Sequence, residues 1–259
     1  MALTLKEWAK NIKKDEHFFD EKGELKYGEV SQYYFHRDPV RPVFKQDNVF
    51  LSPADGVVVS NGIYDIRKDT YFLKGGEFDL PTIIGNDSPF WQYMKVNKVK
   101  YVQIISIFMT FYSCHINRCP IDSKLINRKK QMPILTKNQP MVSVEDALLL
   151  GDMGAIRYSD IENYYAVNER VISHYKTMSQ GYHYELVQIA DQEVQCVWNI
   201  DDSSSAFTKA AQRIGGIRKG STCDIVLPLV PGYNFEILPA GQVGMVVEAG
   251  TDSLVKMYY

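Results

Sequence analysis

Of the five histidines in this 259-residue chain, His115 stands where proton chemistry is most readily supported, in Cys114-His115-Ile116-Asn117-Arg118-Cys119-Pro120 directly behind an apolar run. An imidazole there can take or give a proton near neutral pH, although a histidine at a strand end is more often a structural hydrogen-bonder. The other four are His17, His36, His174 and His183. Asp55 lies in Ser52-Pro53-Ala54-Asp55-Gly56, which alone reads as a turn between strands. Phe35 to Pro42 alone is an extended, arginine-bearing loop, and Asn168-Glu169-Arg170 alone a solvated charge cluster. With 17 glycines, one Gly-Ser dipeptide such as Gly220-Ser221 is expected about once by chance. The chain has no Gly-rich phosphate loop, H-E-x-x-H, G-x-S-x-G or kinase set. Cys114, Cys119, Cys196 and Cys223 form no C-x-x-C pair and no zinc spacing, and read as reduced thiols.

The elements that must hold these residues are short strands. Apolar, mostly β-branched runs at Asn48 to Leu51, Val57 to Val59, Ile63 to Ile66, Tyr101 to Met109, Leu186 to Ile189, Gln195 to Ile200, Cys223 to Leu229 and Gly244 to Glu248 favour antiparallel β structure. Turn signals between them include Asn61-Gly62, Gly75-Gly76, Pro231-Gly232 and Ala249-Gly250. Residues 3 to 14 form a short basic amphipathic helix with Leu5, Trp8 and Ile12 on one face, suited to docking on its own domain or to an anionic membrane surface. A charged, solvated connection follows from Asp15 to Glu29, and a second helix is expected over Val144 to Leu150. A hydrophobic share of 45%, a charged share of 23% and a net charge of -2 describe an ordinary globular chain with no electrostatic footprint for nucleic acid. No secretory signal and no spanning segment is present, so a cytoplasmic place is the expectation.

Five segments in order give the chain a family likeness: Phe35-His36-Arg37-Asp38-Pro39-Val40-Arg41-Pro42, Ser52 to Gly56, His115 to Pro120, Asn168-Glu169-Arg170, and Gly216-Ile217-Arg218-Lys219-Gly220-Ser221. In this the chain resembles the phosphatidylserine decarboxylase family over residues 33 to 250. The resemblance implies a proenzyme that cuts itself between Gly220 and Ser221 and turns Ser221 into a pyruvoyl group, with no pyridoxal phosphate and no metal. A serine hydroxyl needs a base and a group that orients the base, and His115 and Asp55 are the residues implied, in the manner of a hydrolytic triad. The pyruvoyl carbonyl then takes the substrate amine and serves as electron sink when carbon dioxide leaves, with His115 returning the proton. The implied fold is mainly β with peripheral helices, an α+β barrel-like sandwich resembling lipoyl and biotinyl carrier folds. The expected organisation is an N-terminal helical region, residues 1–32, and a catalytic domain, residues 33–259, whose two fragments stay associated.

Two positions depart from the family pattern. Ser113 stands where members often carry aspartate two residues before the motif histidine, and Arg118 stands where some carry a second histidine. The substrate expected is phosphatidylserine, with a free amino acid such as tryptophan as the alternative, and an uncleaved, non-catalytic binding protein as the reading of another class. A lipid enzyme without a spanning segment should be peripheral at the membrane and expose apolar residues such as Leu5 and Trp8 beside its pocket mouth. The oligomeric state is left open.

Overall fold

A computed structural model describes residues 2–16, 18–24, 26, 37–43, 46–67, 71–73, 76–133, 142–155, 167–190, 197–200, 207–218 and 221–259. His17, His36, Cys196, Lys219 and Gly220 lie outside the described residues. In chain order the strands are β1 (Leu3–Thr4), β2 (Val49–Leu51), β3 (Gly56–Asp65), β4 (Tyr71–Leu73), β5 (Gly76–Phe78) and β6 (Tyr101–Met109). They continue with β7 (Ile116–Arg118), β8 (Ser123–Gln131), β9 (Arg170–Thr177), β10 (His183–Ala190), β11 (Val197–Asn199) and β12 (Phe207–Thr208). The last are β13 (Arg213–Ile217), β14 (Ser221–Pro228), β15 (Asn234–Ile237), β16 (Met245–Val247) and β17 (Ser253–Tyr258). Helices cover Leu5–Ile12, Leu80–Ile84, Phe90–Val96 and Val142–Leu149. The fold is mainly β with few helices, as the strand texture predicts.

Among the described residues nine strands make one sheet in the order β1-β16-β3-β6-β14-β10-β9-β8-β12, with all its neighbours paired antiparallel. Two three-stranded sheets, β11-β13-β7 and β15-β17-β2, lie beside it. At the centre, β6 is buried on both faces from Val102 to Met109. Each fully buried Ile or Val there contributes about 1.5–3 kcal/mol of apolar transfer, which fixes the middle of the sheet more firmly than its edges. The helices Leu80–Ile84 and Phe90–Val96 pack on β10.

Three sequence expectations need correction. Asn61-Gly62 is not a turn: both residues lie inside β3, which runs unbroken past them with a register shift between Val58 and Ser60. The Asn61 amide donates to the Gly241 carbonyl at 2.7 Å and accepts from Gln103 at 2.8 Å, so tertiary partners replace the local turn bond. Phe18, within the stretch expected to be solvated, is wholly buried and meets Tyr112 edge-on at 4.5 Å. Leu5 is 3% exposed rather than displayed, because the helix docks on its own domain; it is Leu3, 40% exposed, that stands out.

That docking is built into the sequence. Thr4 and Glu7 form a reciprocal capping box, with the Thr4 N–H donating to Glu7 at 2.9 Å. Immediately before the helix, β1 pairs with β16, and the Leu5 N–H donates to the Gly244 carbonyl at 2.9 Å. Trp8 then packs edge-on against Tyr112, 6.0 Å away.

Candidate active site

Asp55 is carried by the tight connection from β2 to β3. That connection is tied on both sides: the Arg118 N–H donates to the Pro53 carbonyl at 2.8 Å, and the Gly250 N–H to the Ser52 carbonyl at 2.8 Å. Gly56 follows at φ +154°, and a Cβ there would lie 2.0 Å from the Phe108 carbonyl oxygen, so only glycine lets the turn press this closely on β6. The Asp55 carboxylate is 7% exposed and takes a forked ion pair from Arg41, with one arm at 2.5 Å. It also accepts the Ala249 N–H at 2.8 Å and the Cys114 N–H at 3.3 Å. Burial works against the Arg41 charge, but the Asp55 carboxylate outweighs it and holds the guanidinium above its ordinary value.

His115 is 1% exposed, and both ring nitrogens face backbone carbonyls: Nδ1 lies 3.0 Å from the Ile217 oxygen and Nε2 3.0 Å from the Thr110 oxygen. Burial pushes its pKa down to about 4, against the pull of the two carbonyls and the nearby Asp55 charge. At neutral pH the ring is therefore neutral, with one nitrogen holding a lone pair. Asp55 acts on this ring through space: its own hydrogen bonds go to Arg41, Ala249 and Cys114.

The backbone brings Ser221 to the same place. Ser221 opens β14 between two neighbours, paired with Met109 of β6 and with Ala190 of β10. Thr110, whose carbonyl meets the His115 ring, directly follows Met109, and Ile217, the other ring partner, lies on the arm leading into Gly220-Ser221. That arm is gripped twice, since the Ile217 N–H also donates to the His115 carbonyl at 3.1 Å. Gly215 and Gly216 leave no room for a side chain: a Cβ would sit 2.2 Å from the Trp198 carbonyl oxygen and 2.6 Å from that of His115, respectively.

Several supporting residues carry no catalytic signature of their own. Asn168 and Glu169 are wholly buried, not solvated. The Asn168 amide donates to the Ala190 carbonyl at 2.9 Å, the Ala190 N–H to the Glu169 carbonyl at 2.9 Å, and Lys130 pairs with the Glu169 carboxylate at 2.7 Å. They fix the end of β10 that lies beside Ser221. Gln188 donates to Asn117 at 2.9 Å, and the Asn117 amide meets the Pro53 carbonyl at 3.4 Å, joining β10 and β7 to the Asp55 turn. Ser113, where aspartate was the family expectation, closes a small turn through its hydroxyl contact of 2.9 Å with Thr110. It thereby presents the Thr110 carbonyl to His115. Arg118 points away to Asp38.

A cavity of about 270 Å³ opens beside Asp55, and its lining includes Arg37, Ser113, Glu248 and Asp252 together with Leu3 and Trp8. Of the remaining histidines, His174 and His183 bond each other across 2.9 Å on β9 and β10. Among the described residues no cluster of His, Cys, Asp and Glu could hold a metal, and no helix is long and apolar enough to cross a membrane.

The chain is similar to known proteins over most of its length. It is 26% identical to the putative archaetidylserine decarboxylase proenzyme of Methanocaldococcus jannaschii over 217 residues, 84% of this chain and 85% of that one. It is 28% identical to the phosphatidylserine decarboxylase proenzyme of Pelagibacter ubique over 227 residues, 86% of this chain and 79% of that one. The proenzyme of the same name from Paramagnetospirillum magneticum is 28% identical over 198 residues, which span 75% of this chain and 61% of the relative. The family pattern described as phosphatidylserine decarboxylase matches residues 31–253, and the chain belongs to that family of carboxy-lyases.

Proposed function

We propose that this chain cuts itself between Gly220 and Ser221 and then converts phosphatidylserine to phosphatidylethanolamine and carbon dioxide. The observation that carries the reading is the neutral, buried His115 ring held between the carbonyls of Thr110 and Ile217, on the two backbone segments that flank Ser221. The Ser221 oxygen attacks the Gly220 carbonyl carbon while His115 takes the hydroxyl proton. Once doubly protonated, the ring donates to both carbonyls, and the Asp55 charge favours that state. The Gly220–Ser221 C–N bond then breaks as His115 returns the proton to the Ser221 nitrogen, leaving an ester. Loss of the Ser221 α proton expels the Gly220 carboxylate, and water hydrolyses the resulting dehydroalanine through its imine, releasing ammonia and leaving the new amino-terminal carbonyl on residue 221. Gly215 and Gly216, against which no side chain fits, suit an arm that must approach His115 closely.

The pyruvoyl group so formed supplies a carbonyl that takes the substrate amine and accepts electrons as carbon dioxide leaves. The chain's own residues bind and protonate. Arg37 is the one basic side chain among the described residues lining the cavity, and it suits the anionic groups of a phosphoserine headgroup. About 270 Å³ is room for a headgroup, not for acyl chains. The tails therefore remain in the bilayer, which makes the contact peripheral: Leu3 and Trp8 line the cavity, and Lys6, Lys10, Lys13 and Lys14 are exposed close by in sequence. The fragment 221–259 stays bound because β14 lies between β6 and β10.

Mass spectrometry of the purified protein tests the first step: two chains of 220 and 39 residues are expected, the smaller with a blocked amino terminus, and a chain that stays whole refutes it. Carbon dioxide release from phosphatidylserine vesicles, compared with release from free tryptophan, tests the second. Release from tryptophan alone, without vesicle binding, refutes the lipid reading.

A further inference from the structure

The segment Arg37 to Arg41 is fastened over the site at three points. Arg37 donates to the Tyr112 carbonyl at 3.3 Å, Arg41 pairs with Asp55, and between them Asp38 reaches the other side, where its carboxylate meets two arginines. One oxygen lies 2.9 Å from Arg118 Nη2, and the other is bonded by Arg213 Nη2.

Those two arginines are direct cross-strand partners, Arg213 of β13 opposite Arg118 of β7. Like charges facing each other across an antiparallel pair destabilise it. The pair they would destabilise carries the site: β7 starts one residue after His115, and β13 ends at Ile217, whose carbonyl meets the His115 ring. It is a weak pair without help. β13 has five residues, two of them glycine, and its register breaks between Arg213 and Gly215. Arg118 is held further by donating to the Ala211 carbonyl at 3.0 Å and lies 3.4 Å from that of Pro39, so one side of the bridge is rigid and the other, Arg213, is half exposed.

Resting on the self-processing reading above, we propose that Asp38 is a positioning residue for cleavage: by bridging Arg118 and Arg213 it holds the arm 213–217 in register against β7, and so holds Ile217 on His115. It touches none of the reacting atoms. Its role is to cancel a repulsion that the β7–β13 register creates, and the role therefore depends on Arg213 being charged.

Precursor made in a cell-free extract and sampled over time on a gel measures the cleavage rate. Asp38→Asn is expected to slow cleavage by about tenfold, the size of a partly buried ion-pair network. Arg213→Gln alone should stay within about threefold of wild type, and Asp38→Asn with Arg213→Gln should recover most of the lost rate, because the repulsion is gone. Asp38→Glu should recover part of it. A structural defect of the Asp38 loop alone would not be relieved by a change at Arg213. Wild-type rate in Asp38→Asn, or a double variant as slow as Asp38→Asn, overturns the role of Asp38 while leaving self-processing intact. A wild-type chain that never cleaves overturns both.

Discussion

The pH dependence of cleavage follows from where His115 sits. Burial pushes its pKa from 6.5 to about 4, so at pH 5.5 about 97% of folded molecules carry the neutral ring, against about 9% if the ring kept its ordinary value. Cleavage should therefore be flat from pH 8 to pH 5, falling only as pH approaches 4. The same shift has a cost in stability. A histidine whose folded pKa is depressed binds its proton more readily in the unfolded chain, so stability is full above about pH 6.5 and is lost as pH falls toward 4. At pH 5.5 the loss from this one group is about 1 kcal/mol, and at pH 4 about 3 kcal/mol. Precursor diluted rapidly from pH 7.5 into buffers between pH 5 and 8, and sampled on a gel, gives the profile. Circular dichroism of the uncleavable Ser221→Ala chain over the same range separates unfolding from slow chemistry. A cleavage profile with its midpoint near 6.5, in a range where the Ser221→Ala chain is still folded, would refute the buried-base reasoning.

Other perturbations have equally definite outcomes. Asp55→Asn leaves the Arg41 guanidinium buried without its carboxylate, so unfolding should become easier by about 3–5 kcal/mol and cleavage should slow steeply; denaturant titration and the gel assay read the two effects. Gly56→Ala drives a methyl group into the Phe108 carbonyl and should cost at least about 3 kcal/mol, seen as loss of soluble folded protein. Glu185 is wholly buried on β10, with the Ser88 hydroxyl bonded to one oxygen, and burial pushes its pKa up to about 8. A carboxyl raised in the folded state costs stability as pH climbs from about 4.5 to about 8, so Glu185→Gln should raise Tm, and by more at pH 8 than at pH 5; thermal scans at the two pH values check the sign.

Much of the strand texture was legible because β-branched runs declare themselves: Tyr101 to Met109 is a strand over that same span. What local reading missed were places where long-range partners decide. Asn61-Gly62 carries the strongest short-range turn signal, yet Gly241 and Gln103 hold it inside a strand. Asn168-Glu169-Arg170 reads as solvent-facing from its charges, yet Lys130 and the ends of β10 take it into the interior. In the candidate site, Asp55 and His115 were legible as a conjunction of motifs, whereas the backbone carbonyls that face the imidazole carry no side-chain signature. Arg41 was visible only as part of a basic loop, since the carboxylate it clasps is 14 residues away along the chain.

The position of β14 has a consequence for how the molecule can be remade after it has come apart. The strand beginning at Ser221 is the fifth of nine in its sheet, and the same 39 residues that follow the proposed cut also supply β16 to the main sheet and β15 and β17 to another. Before the cut, closing the sheet is a reaction of one chain with itself, with a rate independent of concentration. After the cut it becomes a meeting of two chains, and dilution opposes it. The uncut chain should renature from denaturant at nanomolar concentration, while the cut form should renature only as its concentration rises and show a Tm that climbs with it. Cleavage thus converts a fold that re-forms at any dilution into one whose recovery depends on concentration, which favours the order fold first and cut afterwards.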